Sequence, residues 1–217
     1  MEVTKRLDFG QTLKGAIQIG TKNAMTVIGA AILYAITVWI PYLNIGTTIA
    51  FFTVLPVKLG KGESFSPTEI FDAKYRENMT NFFLVLGLVN AGIGFAFLLA
   101  FFPGLVIMYA WMFAAALVIN KGMKPIEAIN TSYKATYGSK WTIFFAYLVL
   151  GIIIWLISLL LGLIATGLGQ IAGWLGAFFG FIFFVAIAVL SFAAFIGLFG
   201  QLYKSLIIDN PVIEQEG

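Results

Sequence analysis

Every charged residue of this chain lies in one of four short segments, and long apolar stretches separate those segments. Glu2, Lys5, Arg6, Asp8, Lys14 and Lys22 make the first. Lys58, Lys61, Glu63, Glu69, Asp72, Lys74, Arg76 and Glu77 make the second. Lys121, Lys124, Glu127, Lys134 and Lys140 form the third, and Lys204, Asp209, Glu214 and Glu216 the last. If each intervening stretch is a hairpin through a bilayer, all the charge falls on one face of the membrane. Lys and Arg accumulate in cytoplasmic loops near helix ends. The pattern therefore predicts a multi-pass membrane protein with both termini cytoplasmic.

Composition agrees with that placement. Apolar residues make up 60% of the sequence and charged ones 11%, against about 25% charged in an ordinary soluble domain. A mean hydropathy of +0.97 leaves too little polar surface to cover a water-soluble core. Cysteine and histidine are both absent. A disulfide, a Cys/His zinc site, a thiol nucleophile and an imidazole base are thereby excluded. No metal site, cofactor or catalytic residue is expected. The first 15 residues are polar for too long to read as a signal peptide, so the first membrane segment is expected to stay attached.

A helical span needs about 20 residues to cross about 30 Å of hydrocarbon. Stretches 23–40, 43–59, 79–101, 104–120, 141–164 and 174–203 meet that need. The expected fold is all-α: a polytopic membrane protein of six transmembrane helices arranged as three hairpins. The external turns would be Pro41-Tyr42, Phe102-Pro103 and the Gly-rich 165–173. The stretch 43–59 is diluted by Asn44, Thr47, Thr48, Thr53 and Pro56. A re-entrant segment there requires neighbouring helices to shield its backbone, and losing one crossing would place a basic segment outside. The last stretch is too long for a bilayer and must tilt, break near Gly180 or extend beyond it.

Each hairpin is preceded by an amphipathic segment. Asp8 and Ser66 stand where a side-chain cap would open a helix, with Gln11 and Glu69 three residues on. Pro67 and Pro125 suit a first helical turn. Phe9, Leu13, Ala16, Ile17 and Gly20 form one apolar stripe, and Ile126, Ile129, Tyr133 and Tyr137 another. Such helices lie in the interface with their apolar face down and basic groups near anionic headgroups. Lys61-Gly62 with Pro67-Thr68-Glu69 parallels Lys121-Gly122 with Pro125-Ile126-Glu127. The expected organisation is a single membrane domain over 1–207, in repeat-like units of about 8–60, 61–120 and 121–205. A polar tail, 208–217, follows.

Phe102-Pro103-Gly104, Trp111-Met112-Phe113-Ala114, Lys121-Gly122, Pro125, Glu127-Ala128, Ser132 and Gly138-Ser139-Lys140-Trp141 form a recurring grammar. It resembles the glycerophosphoryl diester phosphodiesterase membrane domain and related prokaryotic polytopic families of unknown function. The resemblance is clearest over 100–150 and can be followed from 9 to 205. It implies a membrane fold without the soluble hydrolase domain that fused members carry, and so implies no phosphodiesterase.

The candidate site residues each have a bland reading beside the functional one. Lys14, Lys22, Lys74, Arg76, Lys134 and Lys140 are the expected contacts to lipid headgroups, as a diffuse electrostatic surface. Asn90 would line a path or, more often, bond a neighbouring helix for about 0.6–2 kcal/mol. Gly92, Gly169, Gly173, Gly176 and Gly180 would serve as hinge or path lining, or as close-packing faces, including self-association. Trp39 and Trp174 are expected near the outer interface and Trp141 near the inner one, while Trp111 and Trp155 lie deeper. Glu69 and Glu127 read as helix-start carboxylates. The short, scattered basic segments argue against nucleic acid.

The expected function is a non-enzymatic integral membrane protein: a scaffold or accessory subunit of a membrane complex, or an organiser of lipid. Its partners would be membrane lipids and other membrane subunits or further copies of itself. A channel or facilitator for a neutral or lipidic substrate is the alternative.

Overall fold

The computed structural model describes residues 7–210. Among them every regular element is helical, and no strand occurs. Ten α-helices follow in order: α1 Phe9–Lys22, α2 Ala24–Thr37, α3 Pro41–Ile49, α4 Leu55–Lys61, α5 Met79–Leu99, α6 Phe101–Ala110, α7 Ala114–Lys121, α8 Pro125–Ala135, α9 Lys140–Ile171 and α10 Gly173–Tyr203. A π-helical turn, Ala50–Val54, joins α3 to α4 without a break, and another, Lys204–Ile208, extends α10. Five stretches are long and apolar enough to cross a membrane: Pro41–Lys61, Met79–Leu99, Phe101–Lys121, Lys140–Ile171 and Gly173–Ile208. A sixth exists only if α1 and α2, bent by 69° at Asn23, count together.

Several expected boundaries move. The first expected crossing, 23–40, is a 14-residue helix of about 21 Å, too short to span on its own. The turn expected at Phe102-Pro103 sits at Ala100, in extended backbone, and both residues are already in α6. The Gly-rich 165–173 is helical through Ile171 and turns only at Ala172. Its glycines do not open a loop, because each lies in an otherwise apolar run where intrahelical hydrogen bonding is the only way to satisfy the backbone. Gly180 does not break α10 either. With 32 residues, α9 is about 48 Å long, and most of its length is lined only by α10 and by outward-facing apolar side chains.

The interior is built around the C-terminal half of α10. An added Cβ at Gly20 would lie 2.6 Å from the Ala193 carbonyl oxygen. One at Gly197 would strike the Ala16 carbonyl, and one at Gly60 the Gly200 carbonyl. Thus α1 runs antiparallel to α10 and α4 parallel to it, both at backbone contact. In apolar surroundings helix association depends on such close van der Waals packing. Phe113, Leu117, Leu198, Leu202 and Tyr203 form one buried cluster beside this axis, and Ile49, Phe51, Leu55, Ile70 and Val27 form a second.

The amphipathic segments α1 and α8 dock on helices through small residues, and of the expected apolar stripes only Ala16 and Gly20 are buried. The buried positions of α1 are Thr12, Ala16 and Gly20, while Phe9 and Ile17 point outward. In α8 they are Pro125, Ala128, Thr131, Ser132 and Ala135, and Ile126, Tyr133 and Tyr137 are exposed. Small residues win these faces because they admit the partner backbone. The segment after Gly62 is not a helix but two 3₁₀ turns, Pro67–Phe71 and Ala73–Arg76. Each segment packs on the hairpin before it in the chain, with α1 closing onto α10.

The docking of α8 repairs a broken span. Between α6 and α7 the helix is interrupted at Trp111–Phe113. The Ser132 hydroxyl accepts from Phe113 N–H at 3.1 Å and donates to the Ala110 carbonyl at 2.8 Å. Thr136 donates to the same carbonyl at 3.3 Å. A Ser132→Ala exchange orphans a buried N–H and should cost about 1–3 kcal/mol. The check is a lowered unfolding temperature in detergent, with Ser132→Thr closer to the parent.

The 3₁₀ segment binds the α2–α3 hairpin. Pro67 enters the gap at Gly29, where an added Cβ would sit 2.8 Å from its ring. The Arg76 guanidinium lies 4.9 Å from the Tyr42 ring centroid, and its stem fills the space beside Gly46. This corrects the placement of Pro41-Tyr42 across the membrane from the basic residues. The aromatic face and two glycine gaps give the charged segment a better partner than open interface. Because a Cβ added at Gly46 would lie 3.2 Å from Arg76 Cγ, Gly46→Cys with Arg76→Cys should form a disulfide on mild oxidation. The chain has no native cysteine, so loss of maleimide labelling reads the crosslink directly.

Candidate functional site

An amphipathic helix docked edge-on creates two unlike flanks, and α1 does so here. On one flank, Gln18, Ile19, Lys22 and Asn23 face the end of α4 and the end of α10 across a cleft of about 440 Å³. Gly15, Gly60 and Gly62 form part of its wall, and Glu63, Ser64, Gln201 and Lys204 complete it. The close crossings explain its shape. Gly15 has no side chain because Gln201 occupies the space. Gly62, at φ +79°, takes the left-handed conformation that ends α4 and swings Glu63 and Ser64 over the opening.

The polar side chains of the cleft are partly held. Asn23 Nδ2 donates to the Ile19 carbonyl at 2.9 Å, and Gln201 Nε2 to Ser205 Oγ at 3.2 Å. Glu63 faces Lys61 at 3.8 Å. Among the described residues neither Lys22 nor Lys204 forms an ion pair. Among the described residues the cleft therefore carries two cations without an ion-pair partner, one carboxylate and several neutral donors.

The other flank of α1 is apolar. Ile17, Gly20 and Ala24 face Ile153, Ile157 and Ala186 of α9 and α10 across a cavity of about 590 Å³. A third cavity, about 310 Å³, lies between Phe51, Phe52 and Pro56 on one side and Tyr147, Phe192 and Phe199 on the other. Neither holds a charged group.

The expected site residues are dispersed. Of the six candidate headgroup cations only Lys22 reaches the cleft. Lys74 pairs with Asp72 at 2.6 Å and Glu69 at 3.7 Å. Arg76 lies on Tyr42, and Lys140 lies 4.4 Å over the Tyr133 ring. Lys14 is exposed outside the cleft, and Lys134 lies on α8. Asn90 is exposed and donates to the Leu86 carbonyl of its own helix at 2.8 Å, not to a neighbour. Gly92 receives the Trp111 ring, which leaves Trp111 half-buried against α5. Gly169 and Gly176 pack together at the α9–α10 turn, and Gly173 and Gly180 make no close contact there. Lys204, Gln18 and Gln201 were missed. Lys204's isolation at the end of an apolar run is the one sequence signal that could have marked it.

The acidic expectation also changes. Asp8 does cap α1, accepting from Gln11 N–H at 2.7 Å, but Ser66 makes no such bond. Glu69 instead accepts from Lys58 Nζ at 2.5 Å and from Tyr75 O–H at 2.6 Å. Burial pushes its carboxyl upward, yet the hydrogen bonds from Lys58 and Tyr75 and the charges of Lys58 and Lys74 outweigh this and hold it below the usual 4.5. Burial, the hydrogen bond to Glu69 and the negative charges of Glu69 and Asp72 raise the Tyr75 phenol. A depressed folded value stabilises the docked segment above pH 4.5, and that contribution is lost as pH falls through the folded value. A spin label on Ala73→Cys should stay immobile at neutral pH and loosen only below about pH 4.5. With Glu69→Gln added, it should be mobile already at pH 7.

Among the described residues the fold is all-helical, with five or up to six helices long and apolar enough to cross a membrane, as in a multi-pass membrane protein. No family model, curated protein or solved structure matches the chain.

Proposed function

We propose that this chain is a non-enzymatic integral membrane protein that organises lipid, acting as a scaffold or accessory subunit of a membrane complex. The carrying observation is the division made by α1, with a lysine-bearing polar cleft on one flank and an apolar cavity on the other. That pairing of surfaces matches the chemistry of a lipid headgroup region beside acyl chains. In this reading the protein sits in a prokaryotic cytoplasmic membrane with both termini inside. Taking α1 and α2 as one broken span supplies the sixth crossing that this orientation needs, with Arg76 reaching Tyr42 beyond the far end of α2. The motif resemblance fits such a role, since the residues that carry it, from Phe102 to Trp141, build the α6–α8 packing unit.

A channel is the weaker reading. The two buried clusters are apolar. The hydroxyls of Thr37, Thr53, Ser158 and Ser191 are bonded to their own helix four residues back. A polar solute finds no row of free partners through the bundle.

Extraction from the native membrane followed by intact-complex mass spectrometry tests the proposal. Retained lipids, with or without a stoichiometric protein partner, are the expected outcome. Solute flux through reconstituted liposomes, with no retained lipid, would replace it with the channel.

A further inference from the structure

We infer that the cleft between α1, α4 and α10 is a binding site for a phosphate-bearing group. The inference rests on the lipid-organising reading and names the ligand chemistry of its polar flank. Lys22 ends α1 and Lys204 ends α10, and both line a 440 Å³ cleft without an acidic partner among the described residues. Glu63, the one carboxylate on the wall, is drawn toward Lys61. The net charge facing the cavity is positive.

Around the two ammonium groups stand neutral side chains that can donate. Gln18, Ser64 and Gln201 line the same space, and an amide or hydroxyl supplies the directional hydrogen bonds that a phosphate oxygen accepts. Charged donors on an anion give bonds roughly twice as strong as neutral pairs. The volume falls within the range of small-ligand pockets, about 300–1,000 Å³, and is larger than a bare phosphate requires. It suits a phosphate diester or monoester with a small substituent. Gly15 and Gly60 are required for the shape, because side chains there would collide with Gln201 and with the α10 backbone. The cleft is thus a product of the helix crossings and not a gap in loose surface.

Two sources carry this chemistry: the headgroup of a membrane phospholipid and a free phosphate compound. The full chain, reconstituted in nanodiscs of phosphatidylcholine with or without phosphatidylglycerol, separates them. Native mass spectrometry should show phosphatidylglycerol retained by the parent protein. Lys22→Gln with Lys204→Gln should reduce that retention about tenfold or more. Lys121→Gln with Lys124→Gln, which removes equal charge outside the cleft, should leave it unchanged. Helical circular dichroism and a single elution peak establish that both double variants are folded.

Titration calorimetry with inorganic phosphate is the second arm. Binding that the cleft variant abolishes, without selective lipid retention, assigns the site to a free phosphate compound. Lipid retention insensitive to the cleft variant overturns the site while leaving the lipid-organising reading in place. Absence of both lipid and phosphate binding overturns the two together.

Discussion

The backbone-to-backbone contact of α10 with α1 and α4 is the constraint from which the remaining arrangement follows. Gly20 on Ala193, Gly197 on Ala16 and Gly60 on Gly200 bring three helices closer than any side chain would allow. Apolar side chains gain nothing by leaving lipid for one another, so tight packing has to supply the attraction. Once the three helices are locked, their diverging ends leave the cleft that carries Lys22 and Lys204, and the opposite flank of α1 leaves the apolar cavity. The site and the axis of the fold are one piece of geometry.

The second organising principle is that polar segments are docked instead of spread on a surface. The 3₁₀ segment is held by Glu69, Lys58 and Tyr75 at one end and by Arg76 on Tyr42 at the other. The α8 helix lends Ser132 and Thr136 to the interrupted backbone of α6–α7. In both cases an amphipathic stretch finishes the hydrogen bonding or charge pairing of the hairpin before it. An interrupted helix in an apolar setting survives only with such help, so each docked segment is part of its hairpin's stability.

Charge segregation and the apolar runs between the charged segments made helix existence legible. The Gly62 and Gly122 left-handed caps were foreshadowed by the paired Lys-Gly dipeptides. What misled was the weight given to large apolar side chains. Ile126, Tyr133 and Phe9 stand exposed, while the protein contacts run through Ala16 of the expected α1 stripe and through Ala128 and Ser132 of α8. Glycine spacing was read at 169–180, where Gly169 and Gly176 do pack together across a local turn, and not at Gly60, Gly197 and Gly200, whose partners lie far away in sequence. A small residue reveals a crossing only when its partner is known.

Apolar runs with no water to satisfy their backbone can only be helical, so the sequence by itself determined an all-helical chain with several helices apolar enough to cross a membrane and its charges gathered between them. It also determined that no thiol or imidazole chemistry is available. Only the tertiary structure decided which faces of α1 and α8 are buried, that the basic segment reaches Tyr42, and that Lys22 meets Lys204 in one cleft. Those outcomes depend on contacts between residues up to about 180 positions apart. Local periodicity carries no information about such pairs, because they are selected by the shape and spacing of already formed helices.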